Sequence, residues 1–454
     1  MRSERSALGA SPILRAPLPP VFVMNPYYSG LGIARSLYGR GVRVYALAAE
    51  RDAPGLRSRY FHGVHQVPNG RDEPERLLDR LLDIRARHAE RPVLFPTRDF
   101  DLLFLHEHRE TLASHYVLPQ PEDSPILRMM DKFELATVAR ARGIPTPTTA
   151  LCGSADELDR RMSTLRFPVV LKPRFAYQWR RKGVWERVGA VKAIIVSSPD
   201  ELRLRYRQLS GFTQELLLQE YVAGGDSDLI VCCCYVGRGG DLLGYFTGRK
   251  LKQNPPLVGT GSIVEATEVG LVVNLSVELL KAFHYSGLAE IEFKYDRAAD
   301  RFSLIEINPR HWDQHELGIL VGVNLSWIAY SDMLGRDVAR CRPMYRPGLK
   351  YKWIAERETI EGIARSFCRE LAAVRSSRAG LRAALGALRK VTGEFTALLD
   401  GKKIFGVVRL NDPLPGVLMF FRLLGDGLKF LGITRARTVL PAFGQRKAGE
   451  DDSS

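Results

Sequence analysis

Short apolar runs alternate with stretches of helical periodicity along the opening of this chain. In "PPVFVMNPYYSGLGIARSLYGRGVRVYALAAE", Val21 to Met24 is an apolar run and Gly30 and Gly32 fall at a turn. Ile33, Leu37 and Tyr38 are spaced as one face of a helix. Gly39 and Gly41 close that helix before "VRVYAL" starts a second strand, and "VLFPTRDF" (Val93 to Phe100) supplies a later one. Strand, helix, strand predicts a parallel α/β sheet. Another helix in "MMDKFELATVARARGIPTPTTA" ends at Gly143, and Pro145 and Pro147 mark a seam between domains.

Beyond the seam the pattern changes. "FPVVLKPR", "AVKAIIV" and "ELLLQEYV" read as strands, with a helix opened by Ser198 and Pro199 in "SPDELRLRYRQL". "SDLIVCCCYV", "LLGYFTGRKL", "GLAEIEFKYD" and "RFSLIEINP" continue as strands, so the centre is predicted to be an antiparallel-rich α+β domain. After Pro343 the pattern turns helical and basic.

The last two central strands carry polar residues where a buried strand should be apolar. In "GLAEIEFKYDRAADRFSLIEINPR", Glu290 and Glu292 lie on one strand, Glu306 and Asn308 on the next, with a polar turn near Asp296 to Asp300. Pairing through a three-residue loop sets Arg297 opposite Arg301, Glu292 opposite Glu306 and Glu290 opposite Asn308. Residues i and i+2 share a face, and an even slip keeps all four polar side chains together. Like charges directly opposite destabilise a sheet unless a proton or cation compensates. Glu, Glu and Asn make an all-oxygen set suited to Mg²⁺, which prefers a few carboxylates completed by phosphate oxygens. The plain alternative is the solvent face of an ordinary hairpin. Pro309 ends the ladder and lets Arg310 turn toward what the cation holds.

Composition narrows the class. With 454 residues, 45% hydrophobic and 26% charged, the chain reads as a soluble protein of two to four domains. No uncharged apolar run approaches the ~18 residues of a membrane span. The start, "MRSERSALGASPILRAPLPP", lacks a signal peptide's apolar core and reads as a disordered leader. Cys152, Cys232, Cys233, Cys234, Cys341 and Cys368 show no zinc spacing and read as buried structural thiols in a reducing, cytoplasmic setting. The turn "SGLGIA" holds only Gly30-x-Gly32, a weak dinucleotide signal set against a turn that merely packs or holds another ligand.

"LIEINPR", preceded 14 residues earlier by an acidic strand residue, resembles the metal-binding end of ATP-grasp enzymes. The other segments follow in order. "MMDKFELATVARARGIPTP" resembles the family's opening helix with Lys132, and "FPVVLKPR" the strand carrying Lys172. "LLLQEYVAGGDSD" resembles the interlobe hinge, and "FTGRKLKQNPP" the basic strand facing the phosphates. Over about residues 20 to 340 the chain is similar to carboxylate–amine ligases, D-aspartate ligase-like members included. The resemblance implies an α/β and α+β multidomain protein. A disordered leader (1–19) would precede a Rossmann-like pre-ATP-grasp domain (20–122). An ATP-grasp domain (123–340) with lobes at about 123–215 and 216–340 would follow, then a basic, mainly helical C-terminal region (341–454).

It also implies roles. Lys132 and Lys172 would neutralise phosphate charge. Glu220 would accept the adenine amino group while the backbone around Tyr221 and Val222 meets the ring edge. Asp228, with Asp226 as the alternative, would take the ribose hydroxyls. One of Arg249 and Lys250, which face opposite ways in a strand, would reach the terminal phosphate. Glu292, Glu306 and Asn308 would hold two Mg²⁺ ions on ATP, and Arg310 would stabilise the transferring phosphoryl and acyl charge. Glu290 is left to substrate or to a supporting position. The loop "RFAYQWRRKGVWERVGA" departs from the family: with only Gly183 and Gly189, it offers Arg180, Arg181 and Lys182 in place of backbone N–H groups. His311 and His315 are spaced to permit a transition-metal pair, with polar capping or substrate contact preferred.

The implied reaction turns a carboxylate into an acyl phosphate with ATP and joins it to an amine, releasing ADP and phosphate. The partners are small-molecule carboxylates and amines, and a homodimer is allowed. A dinucleotide-binding oxidoreductase leaves the Glu292, Glu306 and Asn308 cluster unexplained. A noncatalytic basic module for membranes or nucleic acid explains only the tail. From Arg340 to Lys447 the chain has 22 Lys and Arg against 8 Asp and Glu, nearly all of the net +15. "GIARSFCRELAAVRSSRAGLRAALGALRKV" and "PLPGVLMFFRLLGDGLKFLGI" can cover the preceding domain, the preferred reading, or lie on an anionic membrane. Nucleic acid is disfavoured, since no recognition motif or aromatic platform is present.

Overall fold

A computed structural model describes residues 17–181, 183–213, 215–376, 398 and 400–430. The leader before residue 17, Lys182, most of the basic run after residue 376 and everything after residue 430 lie outside the described residues. Strands β1 (Val21–Met24), β2 (Val44–Ala48), β3 (Gly63–Gln66) and β4 (Val93–Phe95) form a parallel sheet in the order β3-β2-β1-β4. The helix Tyr28–Leu37 starts earlier than its periodicity suggests, so Gly30 and Gly32 lie inside it, not in the turn. Packing demands both. A Cβ on Gly30 would stand 2.3 Å from the Asn25 carbonyl oxygen, and one on Gly32 would stand 2.5 Å from His315 Nε2. The glycines of the weak dinucleotide signal are thus required by close approach within the protein.

Strands β5 (Thr149–Cys152), β6 (Val169–Pro173), β7 (Ile194–Val196) and β8 (Leu216–Glu220) make an antiparallel sheet in the order β5-β8-β6-β7. Its helix Pro199–Leu209 begins at Ser198, whose side chain accepts the Glu201 N–H at 3.3 Å. Because β8 belongs to this sheet, the smaller lobe runs past residue 215 to the hinge after Glu220.

The third sheet holds β9 (Leu229–Val236), β10 (Leu242–Asn254), β11 (Thr260–Ala266), β12 (Gly287–Asp296), β13 (Arg301–Asn308), β14 (Tyr351–Ile354) and β15 (Lys402–Phe405). Its order is β13-β12-β9-β10-β11-β14-β15. The boundary expected at residue 340 therefore falls ahead of two strands that complete this sheet, and the region beyond it is not wholly helical. Strand β9 is buried on both faces. Cys232 and Cys234 face one apolar core while Val231, Cys233 and Tyr235 face the other, which explains why small thiols fill its centre. Fully buried Phe246 and Phe293 each contribute roughly 1.5–3 kcal/mol by leaving water.

The β12–β13 hairpin pairs Glu292 with Glu306 and Glu290 with Asn308, as the alternation requires. Its turn differs from the expected one: Asp296, not Arg297, faces Arg301, and the register shifts between Glu292 and Phe293. The turn is one residue longer, and a β-bulge at Ile305 takes up the extra residue before the acidic pairs are reached. Opposite alternation sends Ile291, Phe293, Leu304 and Ile307 into the core and the four polar residues to the other face.

His311 and His315 are buried, His311 against Phe95 and His315 against the helix Tyr28–Leu37. His311 Nε2 meets Ser326 Oγ at 3.1 Å, and His315 Nε2–H donates to the Ser29 carbonyl at 3.1 Å. Burial lowers both imidazoles below their ordinary range. They are core contacts that join domains.

Candidate active site

The three sheets close around a cavity of about 410 Å³. Turns at the carboxyl ends of β1 and β4 supply one wall, through Asn25, Thr97 and Asp99. Ligands of open α/β sheets gather at that end of the strands. Strand β6 brings Lys172, β10 brings Lys250, and the β12–β13 hairpin presents its polar face. Val170, Ile195, Leu229 and Ile305 form an apolar slot beside the hinge residues Glu220, Tyr221 and Val222.

Positive charge compensates the opposed carboxylates. Lys250 Nζ forms a buried ion pair with Glu292, and Lys132 Nζ lies 3.7 Å from Glu306. Desolvation pushes the Glu306 carboxyl up, but Lys132, Lys192, Lys250 and Lys172 outweigh it and hold it well below the usual range. Lys172 is 5% exposed and donates to Gln219 Oε1 at 2.8 Å. Burial, reinforced by Lys132, brings its ammonium down to about 7. The Glu290 carboxyl is raised to about 7, chiefly by burial. It accepts from Asn308 Nδ2 at 3.0 Å and from Gln314 Nε2, so it orients the carboxamide. Arg310 Nε donates to Asp99 Oδ1 at 2.6 Å, and its Nη2 to Asn308 Oδ1 at 3.3 Å. A guanidinium is thereby fixed at the end of the acidic pair.

Lys132, Lys172, Glu220, Tyr221, Val222, Lys250, Glu292, Glu306, Asn308 and Arg310, all expected from the sequence, share this cavity. Two expected residues do not. Arg249 points to the opposite face of β10 and donates to the Ser227 carbonyl at 2.7 Å, because only Lys250 shares the face of Glu292. Asp228 turns inward: its carboxylate accepts the Gly225 N–H at 3.0 Å and pairs with Arg297 at 2.6 Å. Asp226, the alternative, accepts the N–H groups of Gln253 and Leu257 at 2.9 and 2.8 Å. Both aspartates hold loops together. Of the loop cations, Arg180 reaches the cavity and Arg181 does not line it.

Sequence reading missed Lys192, Lys294 and Asp99, which also line the cavity. Lys294 continues the i, i+2 face of Glu290 and Glu292, a signal present in "EIEFK". Its Nζ lies 5.2 Å from the Tyr221 ring centre. Lys192 sits in an irregular segment, where no periodicity marks a face, and Asp99 opens the helix Asp99–Glu107 at the end of a stretch read as strand. Lys192 has no ion-pair or hydrogen-bond partner among the described residues, and Gln253 Oε1 on the cavity wall is buried without a donor. Hydrogen-bonding capacity is thus open to a bound molecule.

The three sheets thus enclose a cation-lined cavity with apolar side chains beside the hinge. No family model matches the chain. It is 23% identical over 322 residues to D-aspartate ligase of Enterococcus faecium, spanning 68% of this chain and 74% of that one. It is 29% identical over 212 residues to D-alanine–D-alanine ligase of Paracidovorax citrulli, covering 46% and 50% of the two chains. Among solved structures, it resembles the biotin carboxylase domain of Hydrogenobacter thermophilus 2-oxoglutarate carboxylase. That likeness has a TM-score of 0.59 at 18% identity and covers 72% of each chain. In sequence the chain is thus similar to these ligases, and in fold to a biotin carboxylase, both in keeping with the ATP-grasp resemblance of its motifs.

Proposed function

We propose that this protein is an ADP-forming ligase that activates a carboxylate as an acyl phosphate and joins it to an amine. The observation that carries the reading is the Glu292–Glu306 opposition, ringed by Lys132, Lys172, Lys192 and Lys250 beside an apolar slot. Among the described residues no three His, Cys, Asp or Glu side chains make a metal cage of their own. Two carboxylates and one carboxamide nevertheless fit Mg²⁺ when phosphate oxygens complete the shell. Glu292, Glu306 and Asn308 would hold it, where it would neutralise phosphate charge. Lys132, Lys172 and Lys250 orient the phosphates, Val170, Leu229 and Ile305 flank the base, and Glu220 with the 221–222 backbone reads its edge. Arg310, fixed by Asp99, meets the charge of the transferring group. Residues 20–122 would form the pre-ATP-grasp domain and residues from about 123 onward the grasp, with 351–354 and 402–405 as part of its large sheet.

The test is ADP release from ATP and Mg²⁺ with panels of D- and L-amino acids and other carboxylates and amines. D-aspartate and D-alanine belong in the panel because similar ligases are named for them. No ADP with any combination would remove the ligase reading. Glu220→Ala is expected to raise the KM for ATP roughly tenfold while lowering kcat less, since base recognition is mostly uniform binding. An unchanged KM would place the base elsewhere.

A second reading concerns the helix Pro413–Phe430. Its Met419 is buried, whereas Leu414, Val417, Phe420, Phe421 and Leu424 are each about half exposed. No described helix is long and apolar enough to cross a membrane. We propose that this row rests on an anionic membrane surface, aided by the basic excess of the tail. Co-sedimentation with phosphatidylglycerol vesicles at low salt, lost in a Phe420→Ser/Phe421→Ser variant, is the expected result. Intact protein left in the supernatant would make the row a cover for another part of the chain.

A further inference from the structure

One corner of the cavity is acidic and takes no part in the roles above. Tyr27 and Tyr28 follow β1, Asp313 follows β13, and Glu358 opens the helix Glu356–Ser376; all four line the cavity. Tyr28 Oη–H donates to Glu358 Oε2 at 2.7 Å, and the Arg357 N–H donates to Tyr28 Oη at 3.2 Å. Ser29 Oγ–H donates to Asp313 Oδ1 at 2.7 Å. The rings of Tyr27 and Tyr28 lie 4.3 Å apart and wall the corner.

No cation closes it. Arg357, the nearest, is held by Glu361 at 2.8 Å and Asp426 at 3.8 Å. Among the described residues neither Asp313 nor Glu358 makes an ion pair. Burial, then the nearby Asp313 and Glu361 charges, raise the Glu358 carboxyl to about 7, despite the Tyr28 hydrogen bond. Burial and Glu358 likewise raise both tyrosines, so they stay neutral. The largest charges acting on Glu306 are lysines, whereas those on Glu358 are the Asp313 and Glu361 carboxylates; Asp313 also acts on Arg310, where the acidic corner meets the cationic end. Beside Asp313, Trp312 is 2% exposed and its indole Nε1–H has no acceptor, which leaves a donor for a ligand oxygen.

We propose that this corner is the subsite for the acceptor amine, which enters as its ammonium, and that Glu358 takes the proton the ammonium must lose before its nitrogen attacks. The proposal rests on the ligase reading. The ammonium gives one proton to the Glu358 carboxylate, and the freed lone pair forms the C–N bond at the acyl carbon. The C–O bond to phosphate breaks with its electron pair on phosphate, which takes the second proton of the nitrogen. A carboxylate that titrates near the working pH suits that transfer.

The test compares wild type with Glu358→Gln, using ATP and the carboxylate found in the ADP screen. One arm uses the amine selected in that screen. The other uses hydroxylamine, which is neutral at pH 7 and traps the acyl phosphate as a hydroxamate. General-base assistance is worth ~10²–10⁴-fold, so the variant should lose at least ~10²-fold with the amine and less than ~10-fold with hydroxylamine. The wild-type rate should rise with pH through about 7, whereas the variant should rise only toward the amine's own pKa. The Tm should hold, because Gln can still accept from Tyr28 and no ion pair is lost. Equal losses with both acceptors would overturn the proposal, and with a fallen Tm they would mark Glu358 as structural. Absence of ADP from wild type with every pair would remove the ligase reading and this subsite with it.

Discussion

Glu306→Gln should lower ADP formation by at least ~10³-fold, since stabilising phosphoryl charge dominates this kind of catalysis. The substitution keeps the volume and removes one of two opposed carboxylates. Glu292 and Asn308 alone would leave the cation one carboxylate short. The fold should persist, checked by circular dichroism. The β12–β13 ladder is made by backbone groups, Glu290 holds Asn308 at 3.0 Å, and the longer 3.4 Å contact at position 306 can be kept by a carboxamide oxygen. A pH signature accompanies the loss. The folded protein holds the Glu306 carboxyl below its ordinary range, so it stabilises the fold above the unfolded value of ~4.3. That contribution is lost as pH falls below the unfolded value toward the folded one, so acid should lower the variant's Tm less than wild type's. Activity within tenfold of wild type would sink the metal assignment.

Lys172→Met should cut kcat/KM for ATP by ~10²-fold or more, as expected when a charge-assisted contact to phosphate is removed. Stability should move the other way. Lys172 is almost fully buried, and its ammonium titrates near 7 instead of in the ordinary lysine range. Between that value and ~10.4 the unfolded chain binds more protons than the folded one, so wild-type stability rises with pH across this window. Met fills similar volume without a charge, so the variant should melt no lower than wild type at pH 7 and lack that rise. Calorimetry adds an independent readout. ATP binding to wild type at pH 8 should take up a proton as phosphate recharges the amine, and the variant should take up less. A lower Tm with unchanged ATP use would make Lys172 a structural residue.

Much of the site could be read from the chain because strand alternation is local. The i, i+2 spacing of Glu290, Glu292, Glu306 and Asn308 requires a shared face whatever the turn does, provided the slip is even. The structure met that condition through a longer turn and a compensating bulge at Ile305. The same alternation explains why only one of Arg249 and Lys250 enters the cavity, but not which one. That choice came from the register of β10 against β9 and of β9 against β12, the second a pairing between segments remote in sequence.

Loops obeyed no such rule. Asp228 and Asp226 stood as alternatives for ribose because the loop after the hinge leaves the spacing open, yet each accepts backbone N–H groups and Asp228 also pairs with Arg297. Gly30 and Gly32 resembled a ligand turn but make room for Asn25 and for His315, nearly three hundred residues away. Glu358 lay in a region read as helical cover, and Asp99, which opens a helix, in a stretch read as strand. By itself the sequence determined strands β6 to β10, β12 and β13, their order and the polar face of the hairpin, because those follow from periodicity and turn chemistry within short windows. Only the tertiary structure decided which charges meet across the cavity, where the large sheet ends, and which carboxylates stay uncommitted. Those depend on packing between distant segments, where burial and competing hydrogen bonds choose among side chains that look alike along the chain.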